Sequence, residues 1–286
     1  MNILVLGATG FIGKNVRDFF INKQGYCLFC PPRDELDVLS RDSVFSYLSD
    51  SSVDVVINCL DSEPTDKYFE NRVRMFMNLA SCDKLYKKMI YFGSGAEYGR
   101  QKELVSVSEK DIGNRIPTDS YGLALFTLND IARKSDNIYN LRLFGVFGRY
   151  EIWRRRFISN AICKKLYGYP ITIRQDRLMN YTDVADLMKV VEWFVNNNPQ
   201  YHDYNVVQGL PVSLKDLATT VNSQKGNKVP IFVAKDGRTL EYSGNGDRLK
   251  DECGIVFRTI EESIEDLYKW YEERIETIDR EPLLYQ

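Results

Sequence analysis

Asn2-Ile3-Leu4-Val5-Leu6-Gly7-Ala8-Thr9-Gly10-Phe11-Ile12-Gly13 is the stretch that decides the fold. Residues 2–6 form a short apolar run that reads as a buried strand. A helical pattern follows to about Lys23. Three glycines spaced three apart, between a strand and a helix, have a mechanical reason. Gly7 turns the chain sharply off the strand, Gly10 leaves room for a pyrophosphate to approach the backbone, and Gly13 lets helix and strand pack closely. The helix N-terminus then faces the negative charge. A Gly-rich turn that binds nothing is the bland alternative. The strand before and the helix after it favour nucleotide binding.

The chain has 286 residues, 44% of them hydrophobic and 27% charged, ordinary values for a globular protein with a proper core. A net charge of -2 gives no global attraction to nucleic acid or anionic membrane. No apolar run approaches the ~20 residues of a membrane span, and residues 1–6 are too short for a signal peptide. A cytoplasmic location is expected. The six cysteines are scattered, without a disulfide framework. Cys27 and Cys30 form a C-x-x-C with no second pair to complete a zinc site, so no metal is expected. The single histidine, His202, stands far from every motif and reads as a strand-edge residue.

Further strands are expected at residues 26–30, 53–59, 88–92 and 138–144, with helices at 44–48, 66–86 and 121–134. The continuous apolar runs suit a sheet covered on both faces. On the 66–86 helix, Phe69, Val73, Phe76, Met77 and Ala80 form an apolar stripe that reads as core. The alternation predicts an α/β fold, a Rossmann-type doubly wound parallel sheet. After residue 145 the rhythm loosens. Helices are expected at 154–167, 183–196, 214–222 (with Ser213 as N-cap) and 261–273, and short strands at 169–174, 204–207 and 229–233. The division expected is a dinucleotide-binding domain over 1–144, to which later segments return. A smaller, discontinuous α/β substrate lobe occupies most of 145–286.

With this order in place, the sequence resembles the extended short-chain dehydrogenase/reductase family, in particular its NAD(P)-dependent nucleotide-sugar epimerases, dehydratases and reductases. The resemblance covers almost the whole chain. It rests on Gly7-x-x-Gly10-x-x-Gly13, on Asp37-Val38 as the pair beside the adenine, and on Gly93-Ser94-Gly95-Ala96-Glu97-Tyr98-Gly99. It continues through Ser120-Tyr121-Gly122, residues 141–148 and residues 180–187. It implies Tyr121 as acid/base and Ser94 as the hydroxyl orienting the substrate oxygen. It also implies cofactor contacts from Gly7, Thr9, Gly10, Phe11, Ile12, Gly13, Asp37, Val38, Cys59, Leu60 and Tyr121, and substrate contacts from Ser94, Gly95, Arg177 and Arg238. A tyrosine in this role needs its pKa lowered from about 10 toward the working pH. The family does so with the nicotinamide charge and a lysine one helical turn on.

Here that position is Leu125. Either another group supplies the charge, or the chain keeps the fold as a non-catalytic dinucleotide-binding or regulatory subunit. Gly145 and Met179 depart from the resemblance too, standing where the family has asparagine and arginine. No acid ends the second strand, and Arg33 can pair with a 2′-phosphate through its planar fork, which favours NADP over NAD. The Ser94 loop lacks the acid pair of a dehydratase. The function expected from the resemblance is that of a 4-keto reductase or epimerase of a nucleotide-activated (deoxy)sugar in surface-polysaccharide synthesis. The resemblance also implies a homodimer, paired through the 66–86 and 121–134 helices.

Overall fold

The apolar opening forms β1 (Asn2–Leu6), and its residues alternate between two cores. Ile3 and Val5 point to one face of the sheet, Leu4 and Leu6 to the other. Burial on both faces is what a parallel sheet covered by two helical layers requires. The computed structural model describes residues 1–62 and 64–284. After β1 come α1 (Phe11–Phe20), β2 (Cys27–Phe29), α2 (Arg41–Asp50), β3 (Val55–Asn58), α3 (Tyr68–Ala80), β4 (Lys88–Ser94), β5 (Leu104–Val107), α4 (Ser120–Arg133) and β6 (Ile138–Leu143). There follow β7 (Val146–Phe147), α5 (Phe157–Leu166), β8 (Ile171–Asp176), β9 (Leu178–Met179), β10 (Thr182–Asp183), α6 (Val184–Asn196) and β11 (Asp203–Val206). The chain ends with β12 (Val212–Ser213), α7 (Leu214–Asn222), β13 (Ile231–Arg238), β14 (Tyr242–Gly244), α8 (Asp247–Cys253) and α9 (Ile260–Glu272).

Among the described residues the main sheet has six parallel strands in the order β11-β6-β4-β3-β1-β2. The order reverses beside β1, and in such sheets the crevice beyond the strand ends at that reversal is where a ligand fits. The Rossmann-type doubly wound parallel sheet is therefore observed. A third core, around α5, α7, α9 and β8, lies apart from the two that cover the sheet. β5 and β14 pair in a small four-stranded sheet with β9 and β12, which brings residues 104 and 242 side by side.

Several elements differ from expectation. The 66–86 helix is shorter, and a 3-10 turn at Asp83–Leu85 follows it. Its buried residues are Tyr68, Arg72, Met75, Phe76 and Leu79, whereas Phe69 and Met77 are exposed. The expected stripe is the true one rotated by one residue, about 100° on a helix. Arg72 and Tyr68 lie on the inner face because that face borders a cleft as well as apolar core. Arg154 and Arg155 lie in the turn before α5, not on a helix face, and Arg156 is its N-cap. The polar segment before Ser120 contains β5. Ser213 caps α7 as expected, its hydroxyl accepting from Asp216 N at 3.0 Å. His202 sits beside β11, its Nδ1 2.9 Å from Ile138 O and its ring stacked on Tyr139. Among the described residues no helix is long and apolar enough to cross a membrane.

Candidate functional site

The glycine turn is sterically closed to side chains. Gly7 has φ +74°, and a Cβ on it would stand 2.9 Å from Cys59 O. A Cβ on Gly13 would stand 2.1 Å from Gly7 O. Gly10 N donates to Gly7 O at 3.0 Å, and Gly10 and Thr9 are exposed. Gly10 is also the N-cap of α1, which has no side-chain cap and no acid in its first turn. The first N–H groups of α1 are thus left for an outside acceptor, the arrangement that suits a dinucleotide pyrophosphate.

From this turn a cleft of about 580 Å³ runs along the strand ends. Phe11 and Ile12 line its beginning, Asn58, Cys59, Leu60 and Asp61 its middle, and Ser94 and Tyr121 its far side. Arg72, Arg100, Arg156 and Arg177 also border it, a cationic lining suited to a diphosphate. The structure therefore gathers Ser94, Tyr121, Arg177 and, of the other expected cofactor residues, Phe11, Ile12, Cys59 and Leu60 around one space, whereas Gly7, Thr9, Gly10, Gly13, Arg33, Asp37 and Val38 are not among its lining residues.

Ser94 ends β4 and starts a 3-10 turn, Gly95–Tyr98, in which Glu97 closes a capping box. Ala96 N donates to Ser94 Oγ at 3.2 Å, and Ser94 N donates to Glu97 Oε1 at 2.9 Å. Glu97 is fully buried, and Arg142 Nε donates to its Oε2 at 2.8 Å. Arg142 Nη2 in turn donates to Asp203 Oδ2 at 3.0 Å. Burial pushes the Glu97 carboxyl up, opposed by the Arg142 charge and the Ser94 N–H. A buried ion pair that is fully hydrogen-bonded holds its loop in one geometry. This network anchors the Ser94 backbone across β4, β6 and β11.

The Ser94 hydroxyl meets a second phenol, one that no sequence motif marks: Tyr242 Oη lies 3.1 Å from Ser94 Oγ. Tyr242 comes from β14, and its approach requires a glycine at 95, where a Cβ would be 2.7 Å from the Tyr242 hydroxyl. Gly95 thus makes room for the site and is not among the residues lining the cleft. Tyr121 opens α4, whose N-cap Asp119 accepts from Gly122 N. Burial pushes the Tyr121 phenol up, while the Ser94 hydroxyl and the Arg72 charge pull it down and Asp61 and Glu97 push it further up. Burial pushes Tyr242 well up, with the Ser94 hydroxyl opposing. The only local signal for Tyr242 is its place two residues before Gly244, where a Cβ would be 2.2 Å from the Phe144 ring. That packing depends on a contact across a hundred residues.

Leu125 is 1% exposed and belongs to the apolar cluster of Leu4, Leu6, Phe76 and Leu128. Arg33 is exposed, with its Nε 4.0 Å from Asp37 Oδ1. Asp37 Oδ1 accepts from Leu39 N, and the buried Val38 accepts from Asn78 Nδ2 through its carbonyl. Arg177 lines the cleft, its guanidinium 5.2 Å from the Tyr242 ring centre and its Nε donating to Leu240 O. Arg238 is not brought to the cleft: its Nε donates to the buried Asp176 at 3.1 Å. Among the described residues no group of His, Cys, Asp and Glu is placed to hold a metal ion.

Solved structures share this fold. A GDP-L-fucose synthetase from Naegleria fowleri bound to NADP is 18% identical, with 96% of this chain and 95% of that one covered and a TM-score of 0.81. A dTDP-4-dehydrorhamnose reductase from Clostridium acetobutylicum is 16% identical over 95% of this chain and 100% of that one, with a TM-score of 0.81. A UDP-glucose 4-epimerase is 17% identical over 96% and 98%, with a TM-score of 0.78. At such identities the likeness is one of fold. The model of the NAD dependent epimerase/dehydratase family matches residues 3–207, which contain the glycine turn, the Ser94 loop and Tyr121. The chain belongs to that family.

Proposed function

We propose that this protein reduces the 4-keto group of a nucleotide-activated deoxysugar with NADPH. The observation that carries the proposal is the meeting of Ser94, Tyr121 and Tyr242 at one end of a cleft whose other end is the uncapped α1 turn. A bound reduced nicotinamide would supply hydride to the sugar carbon. Gly7, Gly10 and Gly13 would admit its pyrophosphate, and Arg33 beyond β2 would take the 2′-phosphate. The fucose synthetase of Naegleria fowleri, solved with NADP, supports that choice of cofactor.

The chain's own residues would then manage one proton. As the carbonyl carbon becomes tetrahedral, its oxygen gains negative charge and needs a proton. Tyr121 would donate it from its hydroxyl, and Ser94 would hold the oxygen by hydrogen bond, its own orientation set by Tyr242. General acid catalysis of this kind is worth roughly 10²–10⁴-fold. Arg156 and Arg177 would hold the diphosphate of the sugar nucleotide; Arg238, tied to Asp176, would take part only if that pair opened. The reduction accounts for all atoms: hydride from the nicotinamide, proton from Tyr121, and a new C–O–H.

One observation favours a second reading. Leu125 occupies the expected lysine position with an apolar side chain, which suits a chain that binds the dinucleotide without turnover. The test is oxidation of NADPH and NADH followed at 340 nm against a panel of 4-keto nucleotide sugars, with the product identified by mass. Turnover with NADPH to a product two mass units heavier is expected. Tight NADPH binding with no product from any member of the panel favours the binding-only reading, and a stereoisomeric product of unchanged mass favours epimerisation.

The proposal includes a cytoplasmic, homodimeric protein. Phe69 and Met77, 37% and 45% exposed, give α3 an outward apolar stripe suited to a second copy. Sedimentation of wild type and of Met77→Glu tests it: a dimer that the substitution splits is expected, and a wild-type monomer contradicts it.

A further inference from the structure

Arg72 is buried, at 7% exposed, yet it lines the cleft, and its Nε has no hydrogen-bond partner among the described residues. Its nearest acid among the described residues is Asp61, 3.8 Å from Nη1, and the Asp61 side chain is itself 62% exposed and accepts from the Tyr68 hydroxyl. A buried guanidinium with an unsatisfied donor is costly unless something completes it. Arg100, the other cation beside Tyr121, is already committed: both its Nε and Nη2 donate to Asp119, at 3.1 and 3.0 Å. Of these two, Arg72 is the one with a buried donor left without a partner, since the Arg100 side chain is 47% exposed.

Its place in the helix pair gives that donor a purpose. Tyr68 and Arg72 are four residues apart on one face of α3, and the Tyr68 ring lies 6.0 Å from the Tyr121 ring across the helix contact. Leu125 stands four residues beyond Tyr121 on α4. Both helices return between parallel strands and so run the same way. Resting on the reading of Tyr121 as proton donor, the geometry points to Arg72 as the group that supplies from α3 the positive charge position 125 lacks. It completes its free donor on the hydroxyls of the cofactor's nicotinamide-side ribose and holds charge beside the Tyr121 phenol.

Among the described residues, the charged and titratable groups around that phenol are Tyr68 and Arg72 of α3, Asp61 after β3, Ser94 at the end of β4, Glu97 in the 3-10 turn that follows, Arg100 beyond that turn, and Tyr242 of β14. Asp61 and Glu97 act upward on it, and Arg72 acts downward.

The experiment is a pH titration of phenolate absorbance near 295 nm in the NADP⁺ complex, beside an NADP⁺ titration by calorimetry. The difference between wild type and Tyr121→Phe isolates Tyr121. Arg72→Gln is expected to raise the Tyr121 midpoint by about one unit, a tenfold loss of phenolate at fixed pH, and to weaken NADP⁺ about tenfold. Arg72→Lys, which keeps the charge, is expected to stay near the wild-type midpoint. A midpoint unmoved in Arg72→Gln, or raised as far in Arg72→Lys, would overturn the assignment. A purely structural Arg72 would lower the melting temperature and leave the Tyr121 midpoint alone. The readout needs no turnover: a shifted midpoint in a protein that reduces no substrate rejects the proposed reaction and keeps the role of Arg72.

Discussion

Replacing Leu125 by lysine restores the sequence pattern of the family, and on this structure it should damage the protein without reviving it. Leu125 is 1% exposed among Leu4, Leu6, Phe76 and Leu128. Removing a buried leucine side chain loses about 1.5–3 kcal/mol of burial. The ammonium brought in its place must either stay charged in that core or give up its proton. Neutrality at pH 7 costs about 1.4 kcal/mol for each of roughly three pKa units. Partial escape of the long stem toward the cleft offsets some of this. The expected net loss is roughly 3–5 kcal/mol, a large part of a typical stability of about 5–15 kcal/mol. Urea denaturation followed by tryptophan fluorescence measures it, with Leu125→Met as control, expected to lose under about 1.5 kcal/mol. NADPH oxidation by Leu125→Lys should not exceed wild type. A Leu125→Lys protein of unchanged stability and much higher turnover would refute the placement of position 125 in the core and the assignment of the charge to Arg72.

Gly13→Ala should abolish NADPH binding and cost about 2 kcal/mol or more, because its Cβ would meet Gly7 O at 2.1 Å; fluorescence titration and melting read both. Glu151 is 6% exposed, and burial pushes its carboxyl up to about 8, against the hydroxyl of Ser159 and the charge of Arg156. Its folded pKa lies above the unfolded value, so the folded state holds a proton that the unfolded state releases. Stability should therefore fall as pH rises from about 4.5 to about 8, by a few kcal/mol, and level off above. In Glu151→Gln that part of the slope should vanish, as denaturation at pH 5, 6.5 and 8 would show.

The parts of the fold that were legible in the sequence were those written locally. β1 and α1 are a continuous run and a glycine pattern inside twenty residues, and the alternation from residue 2 to 143 predicts the parallel sheet. The inner face of α3 was misplaced by one residue because Arg72 and Tyr68, polar by type, occupy it. Their burial follows from a cleft formed by other segments. β5 and β14 were not legible for a related reason: each is a short strand completed by distant segments, β5 by β14 across more than a hundred residues and β14 also by β9. Ser94 and Tyr121 were read from motif and do border one cleft. Tyr242 carries no local pattern, and Arg238 answers to Asp176. Leu125 was legible as a departure; the buried guanidinium across the helix pair was not.

The central claim is that Tyr121 and Ser94 complete a hydride transfer to a sugar carbonyl. The most direct measurement follows deuterium from C4-deuterated NADPH into a 4-keto nucleotide sugar, by mass spectrometry and NMR, for wild type and Tyr121→Phe. The account predicts one deuterium at C4 of the sugar product with wild type, and a rate at least about a hundredfold lower with Tyr121→Phe at similar NADPH affinity. Wild type that binds NADPH and delivers no deuterium to any such sugar, or Tyr121→Phe that delivers it as fast, would contradict it.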